Sequence, residues 1–307
     1  MKAYRLNKFL HAMVEPEHRK NEVLSFIRSG LEDFSISRSL ARAHGWGIRV
    51  PDDPTQVIYV WWDALANYIT ALGYGTGSDD YRVWWRDNPE RIHVIGKGIL
   101  RFHAVYWPAM LLSAGEPCPT GIFVHEYLTA DGKKISKSIG NAEDPVKIAE
   151  TFGHDSLRWW FLRDVARLGD TDFTYDRLVS RANDDLANNI GNLINRTISM
   201  ISRYRDKRVP QVEDRDELVN CLIDARLGAP QEIENAVRRF DFRAALEVIV
   251  RISDEANRYV MTAKPWELAR SENDGGQLRP LDRVLGHLFA TCWELSDLLS
   301  PFLPADS

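Results

Sequence analysis

Three short stretches rich in β-branched and aromatic residues, 57–62 (VIYVWW), 91–95 (RIHVI) and 121–125 (GIFVH), are bounded by Asp, Asn, Pro or Gly and predict buried strands. Between the second and third, residues 96–115 (GKGILRFHAVYWPAMLLSAG) carry apolar positions at helical spacing and end on Gly115. That order, strand, helix, strand, predicts a parallel pair and an α/β architecture with its site at the strand C-termini. After about residue 145 the strand pattern stops and amphipathic helical patterns follow at 155–167, 175–204, 214–239, 242–262 and 281–299, which predict an all-α bundle. Pro210, the Gly228-Ala229-Pro230 step, Pro265, Gly275-Gly276 and Pro301 mark its expected joints. The front of the chain differs: 21–28 and 31–34 read as polar helical segments, with no Gly-rich strand-turn-helix before them. The expected sheet is therefore part of a doubly wound one, in a first domain of residues 1–145, with the bundle at 146–307.

Composition narrows the classes. With 307 residues, 44% hydrophobic and 27% charged, the chain can bury a substantial core and form two domains. No run reaches the roughly 18 apolar residues of a membrane helix, and the amphipathic, basic opening MKAYRLNKFLHAM lacks the apolar centre of a secretory signal. A cytoplasmic location without membrane contact is expected. Cys118, Cys221 and Cys292 are isolated from one another, so neither a disulfide framework nor a structural zinc site is expected. The formal net charge of −5 neither requires nor excludes RNA, because a specific RNA contact needs only a local surface.

The candidate chemistry begins in the loop 131–141 (DGKKISKSIGN), with three lysines, two serines and two glycines in eleven residues. Such a segment can bend round a polyphosphate, and its ammonium groups can follow charge developing on a leaving pyrophosphate. KISKS closely resembles the Lys-Met-Ser-Lys-Ser signature of class I aminoacyl-tRNA synthetases, with Ile135 in place of Met, a volume-conserving change. Upstream, VIYVWWDALANYITALGY resembles the segment that forms much of the methionine pocket in methionyl-tRNA synthetases. IHVIGKGILRFHAVYWPAML and NEVLSFIRSGLEDFSISR continue that resemblance, so it covers essentially the whole chain.

The resemblance implies a partial Rossmann-like catalytic domain followed by an anticodon-binding bundle, and a methionine–tRNA ligase activity that uses ATP and Mg²⁺. Lys134 and Lys137 would be catalytic. Gly96, Lys97, His125, Lys134, Ser136, Lys137 and Ser138 would bind ATP, and Trp61, Ala64, Leu65, Tyr68 and His103 would line the methionine side-chain pocket. An aromatic-walled slot suits a polarizable thioether. Asn192 and Arg196, one helical turn apart in GNLINR, and Trp266 in TAKPWELA match the family's anticodon readers. An amide, a guanidinium and an indole suit the edges and faces of splayed bases. The implied partners are the methionine tRNA and methionine, with the other catalytic half supplied either by a separate chain or by sequence upstream.

The resemblance has gaps. No histidine of this chain sits in a His-Ile-Gly-His motif, which binds ATP in the class. Gly98 stands where the family has Asp after Gly-Lys, and Glu126 where it commonly has Gly after His. A carboxylate beside the nucleotide site is expected to oppose a polyanion unless the side chain turns away. The chain therefore reads as a truncated or split ligase, with an inactive tRNA-binding paralogue or a gene fragment as alternatives.

Overall fold

In the computed structural model, residues 14–130, 132–135, 144–212, 217–273 and 279–304 are described, and the chain divides into two compact units after Tyr127. The first unit contains the parallel pair. β5 (Ile92–Gly96) and β6 (Gly121–His125) run in register from Ile92 opposite Gly121 to Gly96 opposite His125. Their connection begins with a 3-10 turn (Lys97–Ile99), passes through a π-helical stretch (Phe102–Tyr106) and ends as a helix, Trp107–Ala114, closed by Gly115 at φ 76°. Only glycine adopts that left-handed C-cap without penalty.

A strand that the sequence pattern does not announce, β1 (Val14–Glu15), adds to the other side of β6, giving the order β1-β6-β5. Two residues are too few to show alternation. The helix that follows it, α1 (Glu17–Arg28), buries Val23, Leu24 and Ile27 against Val14, Ile95, Ile122 and Val124 of the sheet. It stops where Gly30 takes φ 105°, so the expected helix at 31–34 does not form.

The run 57–62 is not one buried strand. β4 (Asp53–Ile58) ends inside it, paired antiparallel with β2 (Ser37–Ser39) and β3 (Arg49–Val50), and α2 (Val60–Thr70) begins two residues later. The apolar period switches from two to 3.6 in mid-run, and a short apolar run cannot reveal such a switch. Leu65 and Ile69, four apart on α2, are the residues it buries.

The second unit opens with β7 (Leu128–Ala130), paired antiparallel with β8 (Lys133–Lys134) and parallel with β9 (Thr171–Phe173). Strands thus continue past 145. Asp172 pins β9 by accepting from the Thr129 hydroxyl at 2.7 Å and the Gly132 amide at 2.8 Å, while the Phe173 ring meets Trp160 edge-on. This pairing joins 128–135 to the helical half, and the compact units divide after Tyr127.

Helices α3 (Trp107–Ala114, named above) and α4 (Pro145–Phe152) flank this division, and α5 (His154–Asp164), α6 (Tyr175–Arg181) and α7 (Asn192–Tyr204) follow. A π-helical stretch, Ala182–Gly191, makes 175–204 one continuous rod. α8 (Glu217–Arg238) and α9 (Phe242–Ala263) pack with α11 (Arg279–Leu299) around Leu222, Ala229, Leu246, Ile249, Ile252 and Leu288. α10 (Pro265–Asn273) starts on its proline. Pro230 is no joint: α8 runs through it, with the fully buried Ala229 packed in the bundle core. An interior proline costs a helix about 3 kcal/mol, and packing along α8 offsets it. Gly275 and Gly276 lie outside the described residues.

Candidate functional site

Adjacent parallel strands deliver their last residues side by side, so Gly96 of β5 stands opposite His125 of β6. A Cβ on Gly96 would lie 3.4 Å from His125 Cε1, in ordinary van der Waals contact with the ring. Just beyond them, the Lys97 ammonium lies 3.1 Å from Glu126 Oε2 and 4.6 Å from the centre of the Tyr127 ring. Glu126 does not stand open toward a ligand, as its position in sequence suggests. It is buried and receives hydrogen bonds from Arg19 of 2.6, 2.8 and 3.0 Å, with His18 Nε2 at 3.1 Å. Burial raises its carboxyl pKa, but the bonds from Arg19, Lys97 and His18 outweigh this and hold it below the usual carboxylate range.

The expected methionine residues are brought together in the same unit. Trp61, Ala64, Leu65 and Tyr68 fall at helical spacing on α2, and His103 reaches them from the helix after β5. The Tyr68 hydroxyl donates to His103 Nε2 at 2.9 Å while His103 Nδ1–H donates to the Ile99 carbonyl at 3.0 Å, which places the ring proton of the neutral imidazole on Nδ1. Trp61 lies flat on Phe102 at 4.0 Å and edge-on to His103 at 6.3 Å. Ala64 is exposed. The gap among Trp61, Leu65, Phe102, Tyr106 and Met110 is only about 10 Å³, so a ligand side chain enters there only if the stacked rings part. A wider cleft of about 810 Å³ adjoins the start of α2, lined by Arg38, Arg42, Trp46, Tyr59 and Asp63.

Sequence reasoning missed His93. It is buried, lies tilted against the Tyr68 ring at 4.3 Å and stands 5.5 Å from His103, with no hydrogen-bond partner for Nε2 among the described residues. Alternation along β5 carries the signal, since His93 shares the inward face of Ile95. Burial, with repulsion from His103, pushes its pKa down to about 4. Burial likewise lowers His103 and raises the Tyr68 hydroxyl. At neutral pH all three side chains are uncharged, so the box offers a polarizable, electrically neutral lining.

In the second unit Lys134 is exposed on β8, while Ser136, Lys137 and Ser138 lie outside the described residues. Asn192, exposed, opens α7 directly after the π-helical stretch, and Arg196 follows on the same face. Trp266 packs partly against the bundle core, so its ring is not wholly free. Among the described residues no group of three or more His, Cys, Asp or Glu side chains is arranged to hold a metal ion. No described helix is long and apolar enough to cross a membrane.

A family model described as "tRNA synthetases class I (M)" matches residues 2–198. The methionine–tRNA ligase of Caldanaerobacter subterraneus subsp. tengcongensis is 41% identical over 292 residues, which are 95% of this chain and 44% of that protein. For the Rickettsia felis ligase the identity is 39%, over 96% of this chain and 56% of that one. The structure of Mycobacterium tuberculosis methionyl-tRNA synthetase in complex with methionyl-adenylate matches with a TM-score of 0.89 and 38% identity, covering 99% of this chain and 59% of the other. The chain thus spans about half the length of the relatives it matches.

Proposed function

Because the chain belongs to the methionine-type class I tRNA synthetases, we propose that it is the C-terminal part of a methionine–tRNA ligase. The observation that carries this reading is the 38% identity to a synthetase solved with methionyl-adenylate. In the first step a methionine carboxylate oxygen attacks the α-phosphorus of ATP and pyrophosphate leaves. In the second, the terminal ribose hydroxyl of the tRNA attacks the carbonyl and AMP leaves. Trp61, Ala64, Leu65, Tyr68 and His103 would receive the methionine side chain, and Gly96, Lys97, His125, Lys134, Ser136, Lys137 and Ser138 the nucleotide. Lys134 and Lys137 would stabilise the charge developing at phosphorus. Mg²⁺ would arrive bound to the phosphates of ATP, neutralising their charge.

A His-Ile-Gly-His half, from upstream sequence or another chain, would complete the site. The open face of the parallel sheet supports this: Ile92 and Val94, opposite to the inward His93 and Ile95, are 48% and 62% exposed. Parallel sheets are ordinarily covered on both faces. The 307 residues alone are therefore expected to show no methionine-dependent ATP–pyrophosphate exchange above background. Addition of a His-Ile-Gly-His-bearing half is expected to restore it. Robust exchange by the pure chain would overturn the split reading.

The bundle would read the anticodon. The side chains of Asn192 and Arg196 have no hydrogen-bond or ion-pair partner among the described residues, which leaves them available to base edges. Trp266→Ala is expected to weaken binding of a tRNA bearing a CAU anticodon by roughly 1–3 kcal/mol, the value of one base–aromatic stack, and to leave unrelated tRNAs nearly unchanged. Fluorescence titration at fixed salt with cognate and anticodon-swapped tRNAs checks this. Equal binding of both by the unmodified chain would refute anticodon recognition.

A further inference from the structure

Lys97 is held from two sides, by the Glu126 carboxylate at 3.1 Å and by the Tyr127 ring at 4.6 Å. The Glu126 side chain is 3% exposed and that of Lys97 23%, so the carboxylate is the fixed partner and the lysine the one that reaches solvent. Arg19 and His18, both at the start of α1, bond the same carboxylate and tie it to that helix. Gly98 completes the arrangement. A Cβ at that position would overlap Tyr127 Oη, so the present position of the ring depends on residue 98 having no side chain.

We propose that Glu126 and Tyr127 form a clamp that positions the Lys97 ammonium at the C-terminal ends of β5 and β6, and that Gly98 makes room for it. This rests on the reading of that end as the nucleotide site. A lysine on a four-carbon stem samples many rotamers, and holding it in place before the ligand arrives removes that entropy from the binding step. The clamp also links the two departures from the family pattern. Glu126 meets cations rather than standing unpaired beside a polyanion, and Gly98 accommodates the ring that completes the grip.

Amine acylation of the full chain by an N-hydroxysuccinimide ester, read by peptide mass spectrometry, reports on Lys97 directly, with Lys147 and Lys264 as reference lysines. Glu126→Gln is expected to raise the relative labelling of Lys97 by about tenfold, the scale of one lost charge-assisted hydrogen bond. Glu126→Asp should fall between. Tyr127→Ala and Gly98→Ala should raise it in the same direction, whereas Tyr127→Phe, which retains the ring, should keep Lys97 protected. Tyr127 is partly exposed, so its truncation leaves the core intact and keeps the test open if Glu126→Gln fails to fold. Folded variants with wild-type Lys97 labelling would overturn the clamp. Labelling with Mg²⁺–ATP present, after addition of a His-Ile-Gly-His-bearing half, separates the two readings. Variants that loosen Lys97 without any protection by ATP support the clamp and sink the nucleotide placement, and ATP protection with no variant effect does the reverse.

Discussion

Acidification from pH 6.5 to pH 4 is expected to remove up to about 3 kcal/mol of stability from the 14–127 unit through His93 alone. In the fold its pKa is pushed down to about 4, against 6.5 for an ordinary histidine, by burial and by the neighbouring His103. Between those values the unfolded chain binds a proton that the folded chain refuses. The contribution of the neutral ring is therefore present in full above the ordinary value. It is lost as the pH falls toward the depressed one. His103, also lowered, adds in the same direction. Denaturant unfolding at a series of pH values, followed by circular dichroism, measures the slope. His93→Phe keeps an aromatic ring against Tyr68 and loses the titration, so its acid slope should flatten. No hydrogen bond to Nε2 is sacrificed by that change. A His93→Phe variant as acid-sensitive as the parent would place the effect in another group.

In an enzyme completed by its His-Ile-Gly-His half, Lys137→Ala is expected to slow pyrophosphate exchange by about 10²–10³-fold, the usual loss for one preorganised charge-stabilising donor. Methionine affinity should change little. A contact made only as charge develops lowers the barrier without tightening the ground state, so the loss should appear in kcat. Lys134→Ala should act in the same sense but more weakly. Exchange kinetics at saturating methionine and varied ATP distinguish this from lost nucleotide binding, which would raise KM for ATP at unchanged kcat. An unchanged rate for Lys137→Ala would return the loop to an ordinary basic turn.

Local pattern was enough for much of the architecture. The strands at 91–95 and 121–125, the helix between them and the rod at 175–204 follow from spacings of two and 3.6 residues, which a few neighbours along the chain already display. Trp61, Ala64, Leu65 and Tyr68 came instead from the family resemblance, since the apolar run 57–62, read as one strand, hid the end of β4 and the start of α2. The pattern failed where an element owes its existence to a distant partner. β1 and β9 are two and three residues long and are strands because β6 and β7 pair with them. Pro230 reads as a breaker by itself and is carried within a helix by packing along its length.

Residue identity in the sequence determined which chemistry is available: lysines and glycines at strand ends, an aromatic and histidine cluster, an indole and an Asn-Arg pair on helices. Only the tertiary structure decided the state of those groups. His18 and Arg19 meet Glu126 across 108 and 107 intervening steps of chain, converting an apparent repulsive charge into a neutralised anchor for Lys97. His93 and His103 are neutral because the fold removes both from water and sets their rings 5.5 Å apart. Secondary structure is written in short-range periodicity, whereas protonation and ion pairing depend on solvent exclusion and on distances that exist only once the chain has closed on itself.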